Sequence, residues 1–392
     1  MIAIVGRPQW LSGLDASFLY LETATQPLQV ISVLELDTST IPGGYGYDRF
    51  RGELSTRLRA IPALREKPSN GFFNVDHPVW TEDGDFDVDR HVRRIVLPAP
   101  GGRAEFEEVC GQLAGEPLDR HRAPWEMCVI EGGHGPLDAD RLAVMIKVHH
   151  AAADGVTFAH MLSQLCSTEP DPPPPALLEA TPAANPLRIA IGGLARFAGR
   201  PVYLAITLLP ATVRAVIDTV RRATGGRAMA APFTAPPTVL NGSLTANRAL
   251  AFARLDLDDV KKVKNHFGVT VNDVVMTLVG GVLRTFLLDR GELPGSSLVA
   301  LVPVSVHEPS TPPDRPERNQ VSGMYARLHT QIADPAERLK TIAPTNAIAK
   351  EHSSAIGATL LQDWCQIIGR ATLNVAKWGY ARLTRFRPMY NV

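Results

Sequence analysis

Two adjacent histidines, His149 and His150, followed by Asp154 and Gly155, form the densest reactive constellation in the chain. An imidazole titrates near neutral pH, so one histidine at the mouth of a strand can take a proton from a hydroxyl. An acid four residues past the second histidine can brace the loop or the ring, and Gly155 lets the backbone turn closely where strand meets helix. A metal site fits poorly. Successive side chains on an extended strand point to opposite faces, so the two rings cannot converge on one ion, and the alanines between them and Asp154 offer no ligand. His160, further along, does not repair this. A plainer role covers the same residues: two polar groups closing a strand, with Asp154 as N-cap of the next helix. Histidine is rare, eleven in 392 residues, and four fixed positions match at once, which favours catalysis.

No serine or cysteine sits in a Gly-x-Ser-x-Gly elbow, and no phosphate-binding glycine loop follows a strand. Without a covalent nucleophile the expected chemistry is direct transfer: a histidine deprotonates an acceptor hydroxyl, which attacks an activated acyl group. The tetrahedral oxyanion then needs donors that the sequence does not identify.

The elements that must position the motif can be read around it. Leu142–Val148 is apolar on both faces, as a central strand should be, and runs into the histidines. Trp125–Ile130 reads as its neighbour, joined through Gly132–Pro136, and Val156–Cys166 as the helix that follows. Upstream, Gln26–Leu36 reads as a strand, and Tyr47–Ile61 and Ala104–Leu113 as helices. Glu169–Pro175 is a stiff proline-rich linker. Asn185–Ala228 is apolar and helix-prone but broken by Pro201 and Pro210. Its arginines, with Asp218 as the single acid between Leu187 and Met229, fit an interfacial helix pair; an inter-domain helix with solvated arginines is the alternative.

A second mixed segment follows. Asp256 caps a helix ending before Gly268, and Thr270 opens another with one broad apolar stripe from Val274 to Phe286. Leu298–Val306 and Asn319–His329 read as strands, Pro335–Lys350 as a helix, and the last forty residues as helical. The expected organisation is α+β: two mixed lobes facing each other across a cleft. Residues 1–168 form the first, 169–243 a linker with basic apolar helices, and 244–392 the second.

Forty basic and forty acidic residues cancel, so no global field favours nucleic acid. Cys110, Cys128, Cys166 and Cys365 are scattered and read as thiols of a reducing compartment. The apolar part of the N-terminus is too short for a secretory signal, and no run of eighteen uncharged apolar residues predicts a membrane span. A cytoplasmic protein, peripheral to a membrane, is the expectation.

Several stretches together resemble the bacterial wax ester synthase/diacylglycerol acyltransferase family, within the CoA-dependent acyltransferase superfamily. They are Leu11-Ser-Gly-Leu-Asp15-Ala-Ser-Phe18, Trp80-Thr-Glu-Asp-Gly-Asp-Phe-Asp87 with His91-Val92, Pro117-Leu-Asp-Arg120 and His149-His150-x-x-x-Asp154-Gly155. In the second half they are Leu240-Asn241-Gly242, Val271-Asn272-Asp273-Val274 and Val302-Pro303-Val304-Ser305. The resemblance implies two chloramphenicol-acetyltransferase-like lobes with mixed sheets and a central tunnel. It implies acyl-CoA as a substrate, with no further cofactor, and diacylglycerol or a long-chain alcohol as acceptor, giving triacylglycerol or wax ester. The inner face of the plasma membrane or a lipid droplet surface is the implied location.

By motif position the resemblance makes His150 the general base, His149 its neighbour and Asp154 a brace. It places Gly155, Asn272, Asp273 and Trp125 at the substrate, although Thr270 and Asp273 also fit a capping box. Two departures stand out. Arg122-Ala123-Pro124-Trp125-Glu126 replaces the family's Arg-Pro-Leu-Trp-Glu, and Asn391-Val392 stands where relatives continue into Asn-Val-Pro-Gly-Pro. The second lobe is therefore expected to be incomplete, with a sheet edge exposed. The alternative function is an inactive, truncated relative that binds lipid or a membrane.

Overall fold

A computed structural model describes residues 9–71, 75–132, 141–169, 173, 185–305, 321–357, 360–383 and 386–392. Its centre is a four-stranded mixed sheet of β2 (Gln29–Asp37), β7 (Arg141–His149), β6 (Trp125–Glu131) and β5 (Val92–Val96), in that spatial order. β2 and β6 flank β7 antiparallel, while β5 lies parallel to β6. The register sets Gln29 opposite His149 and Trp125 opposite Val148. As expected, β7 is central and buried from Leu142 to His149.

Alternation along β7 divides the core in two. Leu142, Val144, Ile146 and Val148 face one layer, packed with Leu54 and Leu58 of α2 (Tyr47–Ala60) and Phe158 and Met161 of α4 (Gly155–Leu165). Ala143 and Met145 face the other, against Phe106, Cys110 and Leu113 of α3 (Arg103–Gly115). Lys147 shares that second face and is fully buried. Its ammonium donates to the Leu113 and Glu116 carbonyls at the end of α3, at 3.0 and 3.2 Å, and lies 2.9 Å from Glu126. A buried charge is tolerated there because a carboxylate and the carbonyl end of a helix meet its donors.

A short antiparallel sheet, β1 (Gln9–Trp10), β4 (Val79–Glu82) and β3 (Glu66–Ser69), adjoins this unit, with α1 (Gly13–Leu21) beginning just after β1. The sequence reading missed these strands and β5. They are two to five residues long, β3 carries a proline and β5 two adjacent arginines, so no alternating apolar pattern marks them.

The stretch expected to break at two prolines does not break. α5 (Pro186–Tyr203) and α6 (Leu209–Thr224) are joined by a π-turn over Leu204–Leu208. Pro201 and Pro210 each remove an N–H donor and crowd the preceding turn. The wider turn between them re-pairs the backbone: Leu204 N donates to the Arg200 and Pro201 carbonyls, and Leu209 N to Leu204 O. The expected helix pair is thus one 39-residue helical run.

In the second half, β8 (Val299–Ser305) and β9 (Val321–Arg327) pair antiparallel. They pack with α8 (Val271–Asp289) and α9 (Pro335–Ile356) around Met276, Leu287, Leu298, Met324, Leu328 and Ile342. α7 (Leu257–Phe267) ends at Gly268, whose φ of 65° suits glycine. α10 (Leu360–Ile367) and α11 (Arg370–Leu383) return to pack on α1. Asn391 N donates to Val299 O and Leu301 N to Val392 O, so the last residues line β8. The turn at 133–136 and most of the proline-rich linker fall outside the described residues.

Candidate active site

β7 ends at His149, and alternation separates the two histidines. His149 continues the buried face of Lys147, with no exposed surface, while His150 is half-buried on the side of α1. The turn beyond them is tight: Ala152 N donates to His149 O at 2.8 Å, and Ala151 to Ala153 are buried. Ala151 N donates to His149 Nδ1 at 3.0 Å. A backbone N–H can only donate, so Nδ1 carries a lone pair and the ring proton of neutral His149 sits on Nε2.

Glu22 Oε1 lies 3.5 Å from Nε2, near enough for its charge to attract that proton but without a formed hydrogen bond. Glu22 stands at the C-cap of α1, its side chain 6 % exposed. Its carboxylate also accepts from Leu28 N at 3.3 Å and lies 3.4 Å from Arg120 Nε. Burial pushes this carboxyl up, but the nearby His149 ring, the Leu28 N–H and the Arg120 charge outweigh it and hold it below its ordinary value.

His150 is held differently. Its N–H donates to Leu28 O at 2.8 Å, and its ring stacks on Phe18 with centroids 4.2 Å apart and planes 15° apart. Phe18 lies on α1, one turn before Glu22. The base candidate therefore presents a partly open imidazole on a rigid aromatic floor.

Asp154 is 1 % exposed and caps α4: its Oδ1 accepts from Thr157 N at 2.8 Å. Gly155 begins α4, is exposed, and has no neighbouring atom within 4 Å of where a Cβ would lie. Neither packing nor a positive φ demands glycine there.

Of the remaining sequence candidates, Trp125 stands on the neighbouring strand opposite Val148, next to the turn, while Asn272 and Asp273 belong to α8. Trp125 is 4 % exposed, donates from Nε1 to Leu64 O at 2.7 Å, and stacks on His91. Asp273 is buried and closes a capping box with Thr270, its Oδ2 accepting from Thr270 N and Oγ1 at 3.0 and 2.7 Å. Its other oxygen accepts from Asn346 Nδ2 at 2.9 Å, which ties α8 to α9. Asn272 is exposed on the first turn of α8. The structure thus brings His149, His150, Asp154 and Gly155 together. It gives Trp125 and Asp273 buried packing and capping positions.

Sequence reasoning passed over Glu22, Arg120 and the stacking role of Phe18. Phe18 and Arg120 lay inside recognised stretches without a role, and nothing local marks Glu22 as a partner of a residue 127 positions later. A pocket of about 280 Å³ opens beside this network, lined by Tyr20, Asn70, Arg120, His121 and Arg370 among others.

Comparison with known proteins identifies the family. The catalytic-domain signature described as wax ester synthase/diacylglycerol acyltransferase matches residues 11–275, and the C-terminal-domain signature of the same family matches residues 318–391. The expected loss of the C-terminal part is corrected to that extent, since the domain is represented. A Mycobacterium tuberculosis protein provisionally named a diacylglycerol O-acyltransferase is 54 % identical over 93 % of this chain and 72 % of its own length. A second such protein from that species is 34 % identical over 87 % and 72 %. Among solved structures, the wax ester synthase/diacylglycerol acyltransferase of Marinobacter aquaeolei VT8 superposes with a TM-score of 0.62 at 26 % identity, over 96 % of this chain and 80 % of that one. The first condensation domain of the calcium-dependent antibiotic synthetase shares the fold, with a TM-score of 0.53 at 16 % identity over 89 % and 76 %. The chain belongs to the wax ester synthase/diacylglycerol acyltransferase family.

Proposed function

We propose that this protein transfers a fatty acyl group from acyl-CoA to the hydroxyl of diacylglycerol or of a long-chain alcohol, with His150 as general base. The observation that carries the reading is the half-open His150 ring, fixed on Phe18 at the end of the central strand beside the unencumbered Gly155. His150 takes the acceptor's hydroxyl proton as the oxygen attacks the thioester carbonyl. The tetrahedral intermediate collapses with cleavage of the carbon–sulfur bond, and the CoA thiolate takes the proton back from the imidazolium. Asp154 acts through the backbone, by fixing the start of α4. In an acyl-CoA release assay, His150→Ala is expected to abolish ester formation with either acceptor. Wild-type turnover in that variant would remove the base assignment.

We further propose that the enzyme works at a lipid surface, the inner face of the plasma membrane or a lipid droplet. Both the acceptor and the product dissolve in lipid. The helical run Pro186–Thr224 is 11 % buried over its most apolar window. Leu187, Ile191, Leu194, Ile206, Val213 and Val220 are exposed along it at helical spacing. That run and Val271–Asp289 are each long and apolar enough to cross a bilayer. Arg188 and Arg214, both exposed, favour the interface for the first, while Arg196, Arg200, Arg221 and Arg222 are held by Asp76, Asp218 and Glu351; packing against α9 engages the second. Flotation with anionic vesicles, weakened by salt, is the expected behaviour; failure to float at low salt would refute the surface reading.

A further inference from the structure

We infer that Glu22 is a positioning residue for the histidine turn, fixing the tautomer of His149 and thereby the backbone that presents His150. The inference rests on the reading of His150 as base, but its first readout does not depend on acyl transfer.

Glu22 offers one carboxylate to three partners. Oε1 faces His149 Nε2 at 3.5 Å and accepts from Leu28 N at 3.3 Å, while Oε2 faces Arg120 Nε at 3.4 Å. Two of these contacts converge on His150 by separate routes. Through His149, the carboxylate charge 3.5 Å from Nε2 favours the proton there, and only a bare Nδ1 can accept from Ala151 N. That bond, with Ala152 N to His149 O, folds the turn immediately after His150. Through Leu28, the same carboxylate holds the residue whose carbonyl accepts from His150 N. Glu22 sits on the helix that also carries Phe18, so α1 supplies both the floor under the His150 ring and the anchor of its backbone.

The opposite tautomer would be costly. A proton on Nδ1 would face the Ala151 N–H, donor against donor, and Nε2 would face a carboxylate with a lone pair. Both groups are buried, where an unmet donor or acceptor costs about 1–3 kcal/mol. His149 is therefore a relay with one useful protonation pattern, and Glu22 selects it. Arg120, which also donates to Leu19 O at 2.8 Å, fixes the far oxygen of the carboxylate.

The test compares Glu22→Ala, Glu22→Gln and His149→Gln in the full chain. Imidazole nitrogen NMR, with His149 signals identified by their loss in His149→Gln, is expected to show the Nε2–H form in the wild type. Glu22→Ala should lose that pure tautomer and lower kcat about tenfold to a hundredfold, with KM for both substrates held within about twofold. Glu22→Gln keeps a carbonyl oxygen for His149 Nε2–H, so it should restore both the tautomer and most of kcat. In Glu22→Ala/His149→Gln, kcat should fall by less than the product of the two single losses, because one of the two routes from Glu22 runs through His149. An Nδ1–H signal in the wild type, an unchanged kcat in Glu22→Ala, or a Gln variant as impaired as Ala at equal Tm would each overturn the inference. Full activity of His150→Ala would instead strike the base assignment and leave the tautomer measurement standing.

Discussion

Replacing Asp154 separates its structural work from any chemical work. In Asp154→Ala the Oδ1 acceptor of the Thr157 N–H disappears from a position 1 % exposed, and that N–H, itself on a buried residue, has no water to turn to. Loss of an N-cap side chain costs about 1–2 kcal/mol, and a buried unmet donor falls in the same range. Because the two describe one bond, about 2 kcal/mol is the expected total. For the 392-residue chain melting as one unit it lowers Tm by roughly 2–3 °C. Asparagine caps helices about as well as aspartate, so Asp154→Asn should melt within about 0.5 kcal/mol of the wild type. If Asp154 serves the histidines only by fixing the start of α4, Asp154→Asn should also form ester at close to the wild-type rate. Thermal melting followed by acyl-CoA release on the same samples measures both. An Asn variant with wild-type Tm but ester formation lowered by about two orders of magnitude would refute the reasoning and place the carboxylate charge in the reaction.

Other perturbations follow from the packing. Gly115→Ala puts a Cβ 2.6 Å from the Ala246 carbonyl oxygen, so a change that usually stabilises a helix by about 0.5–1 kcal/mol should here lower Tm by forcing apart α3 and residues 246–250. Gly155→Ala, with open space around its Cβ, should leave Tm unchanged and impair ester formation, which an activity assay beside a melt would show. Burial holds the imidazoles of His77, His91, His329 and His352 below their ordinary pKa, so the native state keeps them neutral where the unfolded chain takes up protons. Their contribution is complete above about pH 6.5 and is lost as pH falls from there through each folded value. Each can supply up to about 1.4 kcal/mol per pH unit within its window. Tm recorded from about pH 8 to pH 5 should fall on the acid side, and a flat profile would contradict the buried neutral state of these rings.

Much of the fold was legible because period and burial coincide. β7 reads as a central strand from its doubly apolar run, and its alternation put the two histidines on opposite faces. α4, α7 and α8 announced themselves through Asp154, Asp256 and Thr270, each of which does cap its helix. What escaped was either short or distant. β3 and β5 lean on neighbours for their pairing rather than on their own pattern. The prolines of Pro186–Thr224 read as breaks because sequence does not display a π-turn that re-pairs the backbone around them. The partners of the site, Glu22 for His149 and Asn346 for Asp273, lie 127 and 73 positions away, where no local spacing rule reaches.

The notch on α3 has a practical consequence for dividing the chain. Gly111 and Gly115 admit the carbonyls of Arg248 and Ala246 where any side chain would collide, and Arg248 donates to Thr25 O while Phe252 stacks near Phe106. α5 likewise reaches back, with Arg196 and Arg200 on Asp76. A fragment cut in the proline-rich stretch near residue 170 would lose all of these contacts and bare the outer side of α3. A split version of the protein, with halves meant to reassemble on mixing, keeps these contacts within the first half only if the cut falls beyond Phe252, and α1 is then the face on which α10 and α11 of the second half must dock.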